Sequence, residues 1–243
     1  MFDLLIMLLI KSWVKLMYDK IMQNLYMIKT GKPSCTSYVI LGAEMNVLID
    51  SGINQKYGIL KKDLNEIGIN IRDLNMVIST HEHVDHFGAN RYLQNKVPVV
   101  AHRYAATKIV SADDEVLLCR AHGYNPKGYH IHLWLENLNV IDMGDWFLKI
   151  VHTPGHTSGS ICIYEPRKKV LISGDTVFAR GTISDISSSG SYGEYINSLV
   201  RLNTMKIDLI LPGHGAISKN VEEDIKKAIN NAKQKHEEFL KKN

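Results

Sequence analysis

The chain has 243 residues, of which 45% are hydrophobic and 22% are charged, proportions that are ordinary for a soluble globular protein. Its net charge of +4 comes from 29 basic and 25 acidic residues, an excess too small and too dispersed to predict a nucleic-acid-binding surface. The three cysteines, Cys35, Cys119 and Cys162, show no paired spacing. Their spacing argues against a disulfide framework and favours a reducing, cytoplasmic compartment.

The N-terminus is apolar from Met1 to Ile10, and Lys11 and Lys15 interrupt the residues after this run. The run is shorter than the about 20 residues that cross a bilayer. It has no basic stretch before it and no small-residue cleavage site after it, so we expect neither a membrane span nor a signal peptide. Three interpretations stay open: a packed helix or edge strand, an amphipathic contact with a membrane surface or with a second copy in a homodimer, and a start upstream of the native one. We treat residues 1–24 as an uncertain extension of a single domain that covers residues 1–243.

Strands and helices alternate along most of the chain. Short runs rich in β-branched residues and bounded by turn residues predict strands, and apolar residues at helical spacing predict helices. The predicted strands are 38–41, 47–49, 76–78, 97–100, 147–151, 161–164, 170–172 and 209–211, and the predicted helices are 57–67, 86–94, 192–202 and 221–240. This interleaving indicates an α/β protein whose sheets are covered by helices. Residues 111–139 are the least regular stretch, which we interpret as an excursion over the fold and not as a core element.

A metal-capable side chain follows four of the predicted strands after a tight turn. In chain order these side chains are His81, His156, Asp175 and His214. Residues just beyond a strand lie at the rim of a sheet, on loops held by a rigid scaffold, where functional residues concentrate in α/β proteins. Three of the four directly follow a glycine, which lets the backbone turn sharply.

The densest cluster is His81-Glu82-His83-Val84-Asp85-His86. Imidazole and carboxylate groups are the donors that zinc, iron and manganese use. Four such donors in six residues do not easily converge on one ion, so we expect His81 and His83 to face one ion and Asp85 and His86 a second. His156, Asp175 and His214 complete the pair, with Asp175 as the natural bridge. The pattern predicts two divalent metal ions, with zinc preferred and iron or manganese as alternatives.

Together these motifs resemble the metallo-β-lactamase fold superfamily. The motifs are His-x-His-x-Asp-His at 81–86, Thr-Pro-Gly-His-Thr-x-Gly at 153–159, Gly-Asp-Thr at 174–176 and Pro-Gly-His-Gly at 212–215. The resemblance implies a four-layer αβ/βα sandwich of two mixed sheets flanked by helices, with the metals at one edge between the sheets. It also implies that Asp50, in Ile49-Asp50-Ser51-Gly52, supports the ligands without taking part in catalysis.

The resemblance implies a binuclear metal-dependent hydrolase that acts on a small-molecule ester, thioester or lactone through a metal-bridging hydroxide. Asp85 would be both a ligand and the residue that orients the water or accepts its proton. Residues 174–181 are similar to the same loop of glyoxalase II and of persulfide dioxygenases. Residues 215–243 are too few for the glutathione-binding domain of glyoxalase II, and Phe178 stands where acyl-homoserine lactonases have tyrosine.

Three alternatives stay open. A persulfide dioxygenase would use one iron held by His81, His156 and Asp175. The others are a small phosphodiesterase or nuclease and a binding protein that has lost activity. The metal content separates these classes, because two zinc ions favour a hydrolase and a single iron favours a dioxygenase.

Substrate-binding residues are not evident, and the candidates are Arg180 and Tyr192. We expect Glu82 to support the ligands or to face solvent, and not to bind metal. We expect packing or surface roles for a further set of side chains: Tyr124, His122, His130, His132, His152 and Tyr195.

Overall fold

The computed structural model describes residues 17–242, so the apolar run Met1–Ile10 and its three interpretations lie outside the described residues. Within 17–242 the strands form two mixed sheets. The first sheet contains, in spatial order, β1 (Tyr18–Met22), β2 (Leu25–Lys29), β3 (Thr36–Leu41), β4 (Asn46–Ile49), β5 (Met76–Ser79), β6 (Val99–His102) and β7 (Leu133–Leu135). The second contains β12 (Leu209–Pro212), β11 (Val170–Gly174), β10 (Ile161–Glu165), β9 (Phe147–His152) and β8 (Val140–Asp142).

Helices flank both sheets, and the longer ones cover their outer faces. They are α1 (Tyr57–Ile67), α2 (Val84–Phe87), α3 (Asn90–Leu93), α4 (Arg103–Ser111), α5 (Asp114–Leu117), α6 (Tyr192–Asn203) and α7 (Val221–Lys242). In the part of the chain that the structure describes, none of them combines the length and the apolar character needed to cross a bilayer. The cytoplasmic location and the homodimer stay predictions from the sequence.

Alternating side chains of the strands divide the core into layers, as the period of two along a strand requires. Ile49 and Ile78 of the first sheet pack against Ile150 and Ile163 of the second. Their neighbours along the strands point outward: Leu48 and Val77 meet α1, and Val151 and Leu171 meet α6 and α7. The predicted four-layer αβ/βα sandwich of two mixed sheets is therefore confirmed.

Parallel pairing brings the functional strand ends together. In the first sheet β4, β5, β6 and β7 are parallel neighbours, and in the second β11 is parallel to β12. The carboxyl ends of parallel strands meet at the same edge of a sheet, so the loops after β4, β5, β11 and β12 emerge side by side. This edge, between the two sheets, holds the candidate site.

Two elements show the clearest departures from the predicted boundaries. The helix predicted over 86–94 is two short helices, α2 and α3, because the amide of Ala89 donates to the carbonyl of Gly52 at 2.8 Å instead of to its own helix. The strand predicted at 97–100 is observed two residues later, as β6. Val97 still donates to the carbonyl of Leu93 at 3.0 Å, and Pro98 has no amide hydrogen to give to a ladder.

The interpretation of residues 111–139 as an excursion outside the core is wrong in part. This stretch supplies α5 and the edge strand β7. Leu117, Cys119 and Tyr129 are buried against Val84 and Phe87 beside the ligand cluster. At the other end of the chain, residues 18–22 of the predicted extension 1–24 form the edge strand β1, which pairs antiparallel with β2.

Candidate metal centre

All seven predicted ligand side chains meet at the edge between the sheets. His81, His83, Asp85 and His86 lie on the loop after β5 and on the short helix α2. His156, Asp175 and His214 lie on the loops after β9, β11 and β12. Ligand atoms from residues up to 133 positions apart therefore share one small volume, as the pattern at the strand ends predicts.

Three histidines form one group of donors, called here the three-histidine group: His81, His83 and His156. Their ligand atoms lie within 4.8 Å of one another. Nδ1 of His83 is 3.0 Å from Nε2 of His156. Nε2 of His81 and Nε2 of His83 are buried without a hydrogen-bond partner among the described residues. Buried polar atoms are normally satisfied, so Nε2 of His81 fits a role as a metal ligand, whereas the nitrogen of His83 that faces His156 is Nδ1.

A second group, called here the mixed group, contains Asp85, His86 and His214. Nε2 of His86 is 3.2 Å from Nε2 of His214. Oδ2 of Asp85 is 3.0 Å from Nε2 of His214 and 3.7 Å from Nε2 of His86. The side chain of His214 is 36% exposed, which makes the mixed group the side of the centre that faces solvent.

Asp175 lies between the two groups. Its Oδ1 is 3.4 Å from Nε2 of His86 and has no hydrogen-bond partner within residues 17–242. Its Oδ2 is 3.9 Å from Nε2 of His156 and 3.6 Å from Nε2 of His214. One carboxylate thus reaches both groups, the position that a bridging ligand requires.

The donor separations fit divalent metals. Two nitrogens bound tetrahedrally to one zinc at about 2.0–2.1 Å are roughly 3.3 Å apart. The paired nitrogens in the three-histidine group and in the mixed group are 3.0 Å and 3.2 Å apart. His and Asp suit zinc, iron and manganese alike, so these distances support metal binding without selecting the metal.

The electrostatics of the site also suit cations. Burial lowers the pKa of His83 to about 3 and holds the pKa of His81 well below its usual range, so both imidazoles are neutral near pH 7. Burial alone would raise the pKa values of Asp85 and Asp175, but the neighbouring imidazoles, His86 foremost, outweigh it and lower both. Neutral imidazoles and ionised carboxylates are the states that bind metal, so His81, His83 and the two carboxylates are ready to do so. Burial alone would lower the pKa of His86, but the neighbouring acidic groups, Cys35 first and then Asp175, Asp50 and Asp85, hold it well above its usual range. Metal binding to His86 would therefore release a proton.

Two glycines allow the ligands to approach so closely. A Cβ atom at position 213 would lie 2.5 Å from Oδ1 of Asp175 and 2.5 Å from Cε1 of His86. Gly155 has φ of +144°, and a Cβ there would lie 2.3 Å from Cα of Tyr195. Any larger residue at either position would displace a ligand or the helix behind it.

Asp50 lies behind His86 and supports the mixed group. Its Oδ1 accepts a hydrogen bond from the amide of Thr80 at 2.7 Å. Its Oδ2 accepts from the hydroxyl of Thr80 at 2.8 Å and pairs with Nδ1 of His86 at 2.8 Å. The side chain is 2% exposed and lies behind His86, in agreement with the supporting role implied by the resemblance.

A cavity of about 460 Å³ opens beside His214. Apolar side chains such as Phe178 and Ile183 line it together with Arg180, which is exposed and has φ of 65°. The candidate Arg180 therefore lies next to the centre. The other candidate, Tyr192, stacks its ring on His236 of α7, with ring centroids 5.6 Å apart, which favours a packing role.

The expected packing or surface roles are seen for three side chains. Tyr195 is fully buried, and its hydroxyl accepts from the amide of Ser184 at 3.0 Å. Nε2 of His152 is 2.9 Å from the carbonyl oxygen of Ser158, beneath the loop that carries His156. Nδ1 of His132 accepts from the amide of Val99 at 3.0 Å.

Sequence reasoning missed the backbone contact that orients His156. Nδ1 of His156 is 2.6 Å from the carbonyl oxygen of Asp185, in the serine-rich loop 182–191. The amide of Ser187 also donates to the carbonyl of His156 at 2.9 Å. A carbonyl acceptor carries no side-chain signal, so only the folded loop reveals this contact.

Comparison with known proteins agrees with the geometry. The family model of the metallo-beta-lactamase superfamily matches residues 30–214. A probable metallo-hydrolase of Methanocaldococcus jannaschii is 35% identical over 193 residues, which cover 76% of this chain and 89% of that protein. An acyl-coenzyme A thioesterase of Bos taurus is 27% identical over 204 residues, 73% of this chain and 71% of that protein.

Solved structures show the same fold. A metallo-beta-lactamase family protein of Thermus thermophilus superposes with a TM-score of 0.76 at 19% identity, covering 91% of this chain and 83% of that one. A subclass B3 metallo-beta-lactamase of Bradyrhizobium japonicum superposes with a TM-score of 0.72 at 19% identity, covering 93% of both chains. Given the family match, the related metallo-hydrolase and the seven converging donors, the chain belongs to the metallo-β-lactamase superfamily of metal-dependent hydrolases.

Proposed function

We propose that the protein hydrolyses a small-molecule thioester, ester or lactone with two divalent metal ions, zinc in the first instance. The observation that carries the proposal is the division of the donors into the three-histidine group and the mixed group, with Asp175 between them. Two ions bound there would supply Lewis acidity and a water of lowered pKa, the chemistry that paired metal sites use in hydrolysis.

The protein's own residues supply a proton acceptor and a surface for the substrate. Asp85 has a side chain that is 20% exposed, on the solvent side of the centre. Its pKa lies below its usual value, because the neighbouring imidazoles outweigh the effect of burial. It is therefore ionised near pH 7 and available to accept a proton from water as well as to hold metal. The cavity beside His214 places the apolar side chains of Phe178 and Ile183 next to these donors, where part of a substrate could lie.

Thioesters are the substrate class we favour. The bovine relative is named as an acyl-coenzyme A thioesterase. A hydroxyacylglutathione hydrolase of Maricaulis maris, 33% identical over 110 residues that cover 44% of this chain and 36% of that protein, is also named for thioester hydrolysis. Phe178 and Ile183 in the cavity suit an apolar acyl group, and Arg180 suits an anionic group on either half of the substrate.

The test combines metal analysis with a substrate panel. Protein expressed without added metal is analysed for metal content and then assayed on thioesters, lactones and phosphodiesters, with and without a chelator. About two zinc ions per chain with chelator-sensitive thioester hydrolysis would support the proposal. One iron without hydrolysis would replace it by persulfide oxidation, and cleavage of phosphodiesters alone would replace it by a nuclease activity.

The role of Asp85 has its own test. Removing a general base typically lowers kcat by about 10²–10⁴-fold, so Asp85→Asn should do so at saturating metal. Asp145→Asn, a carboxylate whose Oδ1 accepts from the amide of Ala43, is the control. Full activity of Asp85→Asn would contradict the proton-transfer role and leave the metal centre as proposed.

A further inference from the structure

Glu82 lies in the chain between two proposed ligands, yet it is absent from the groups of side chains that residues 17–242 place to hold a metal. It is fully buried, with 0% of its surface exposed. Burying an ionised carboxylate costs several kcal/mol unless charges and hydrogen bonds compensate for the lost water. The fold must therefore provide partners for this carboxylate, and the identity of those partners indicates what it does.

Four donors surround the carboxylate. Oε2 accepts from the hydroxyl of Thr157 at 2.8 Å. Oε1 accepts from Nζ of Lys108 at 3.2 Å, from the amide of Gly159 at 3.3 Å and from the hydroxyl of Ser189 at 3.4 Å. A Cβ at position 159 would lie 2.4 Å from Oε2, so glycine is needed for this approach.

These donors belong to the segments that carry or orient His156. Thr157 and Gly159 follow His156 on the loop after β9. Ser189 lies in the loop 182–191, whose Asp185 carbonyl contacts Nδ1 of His156. Lys108, on α4, donates to Glu82 and also to Ser158. One carboxylate thus ties the loop after β5, in the first sheet, to the loop after β9, in the second.

We infer that Glu82 is a positioning residue that fixes the three-histidine group. Two members of that group, His81 and His83, flank Glu82 on the first sheet, and the third, His156, comes from the second sheet. The strands of the two sheets do not pair with each other within the described residues, so the distance between these ligands depends on contacts that cross the gap. Glu82 supplies such contacts directly beside the ligands, whereas Asp50 pairs with His86 of the mixed group.

The inference rests on the proposed metal centre, and the experiment measures metal affinity. Cobalt(II) is titrated into metal-free protein and followed by its visible absorption. His214→Ala is expected to leave the three-histidine group as the stronger site, and His156→Ala the mixed group. Loss of a residue that orients metal ligands typically weakens binding by about 10–100-fold. Glu82→Gln should weaken cobalt binding by this factor in the His214→Ala background and by less than about twofold in the His156→Ala background.

Two further variants separate positioning from general stability. Glu165 is another buried carboxylate, 2% exposed, that pairs with Arg167 at the far end of β10. Glu165→Gln should lower the melting temperature without changing cobalt affinity. Thr157→Val removes the 2.8 Å hydrogen bond to Glu82, together with a contact to Ser160 on the same loop. It serves if Glu82→Gln does not fold, and it should weaken the three-histidine group alone.

The outcomes are distinct. Equal weakening of cobalt binding in both backgrounds would overturn the positioning role of Glu82. Unchanged cobalt affinity of Glu82→Gln would also overturn it, and if Glu82→Gln does not fold, unchanged affinity of Thr157→Val would do the same. A parent protein that binds no cobalt would instead overturn the proposed metal centre. Weakening confined to the three-histidine group, with a changed absorption spectrum, would support the inference.

Discussion

Asp50→Asn should leave the fold intact and weaken metal binding at the mixed group. The carboxylate of Asp50 pairs with Nδ1 of His86 at 2.8 Å. This pairing keeps Nε2 of His86 turned toward the centre with its lone pair free to bind metal. Asparagine has nearly the same shape, but an NH₂ group replaces one of the two carboxylate oxygens. With this group facing His86, Nδ1 becomes an acceptor and the proton moves to Nε2, where it blocks the metal.

The opposite orientation of the amide carries a similar cost. If the amide oxygen of the new side chain faced His86, its NH₂ group would face the backbone amide of Thr80, which donates to Oδ1 of Asp50 at 2.7 Å in the wild type. Metal binding requires this second orientation, so the metal-bound variant loses the hydrogen bond from Thr80 to a charged group, worth about 1.5–3 kcal/mol, while the metal-free variant keeps a bond there by adopting the first orientation. Since about 1.4 kcal/mol corresponds to a tenfold change, affinity for one metal should fall by about 10–100-fold.

The assay is calorimetric titration of zinc into metal-free protein, with binding at the two sites resolved by their affinities. Asp63→Asn is the matched control, because Asp63 is a buried aspartate, 1% exposed, on α1 and outside the candidate metal groups of the described residues. Two unchanged affinities in Asp50→Asn, with an unchanged melting temperature, would refute the view that Asp50 selects the tautomer of His86.

The packing and the charges give three further predictions. Gly213→Ala should fold but lower the affinity for at least one metal by about tenfold or more, because the new methyl group would lie 2.5 Å from Oδ1 of Asp175 and Cε1 of His86. Elemental analysis after dialysis measures the metal that is retained. Trp146→Ala should cost about 3–5 kcal/mol in denaturant unfolding without changing metal stoichiometry, because Trp146 is 1% exposed in the core between the sheets. Burial lowers the pKa of His102 to about 3, whereas the unfolded chain takes up that proton near pH 6.5. In the metal-free protein, His102 should therefore contribute its full stability above about pH 6.5 and progressively less as the pH falls toward 3. In thermal melts over this range, the melting temperature of His102→Gln should fall less steeply with pH than that of the wild type, and an equal fall would contradict the reasoning.

The strands and the convergence of the seven candidate ligands at one edge were predictable because their signals are local. Ile49, Ile78 and Ile172 lie in short apolar runs that end in turns, and burial between two covered sheets requires such runs. The ligands come directly after these runs, so the position of each strand end also places a ligand at the rim. The family motifs then supplied the layer order, which periodicity alone does not determine.

The errors and omissions come from contacts between distant segments. The break between α2 and α3 depends on the hydrogen bond from Ala89 to Gly52, which lies 37 positions earlier in the chain. The donors to Glu82 lie between 26 and 107 positions away from it. No pattern within a helical turn or a strand period indicates such partners, so sequence reasoning left Glu82 between a supporting role and a solvated one.

The arrangement of the ligands couples the proposed chemistry to the stability of the sandwich. The loop after β5 in the first sheet contributes His81 and His83, and loops of the second sheet contribute His156 and Asp175. A metal held by donors from both sheets binds only when the sheets are in place, so it stabilises the folded state by mass action, by about 4 kcal/mol at a free concentration of about 1,000 times Kd. Before metal binds, the buried ligands have partly unsatisfied nitrogens and closely spaced charges at the same edge. The carboxylates behind the ligands, Asp50 and Glu82, offset that cost in the metal-free protein, because each pairs with donors that would otherwise be buried alone. The edge that carries the proposed activity is therefore also a part of the fold that depends on paired charges.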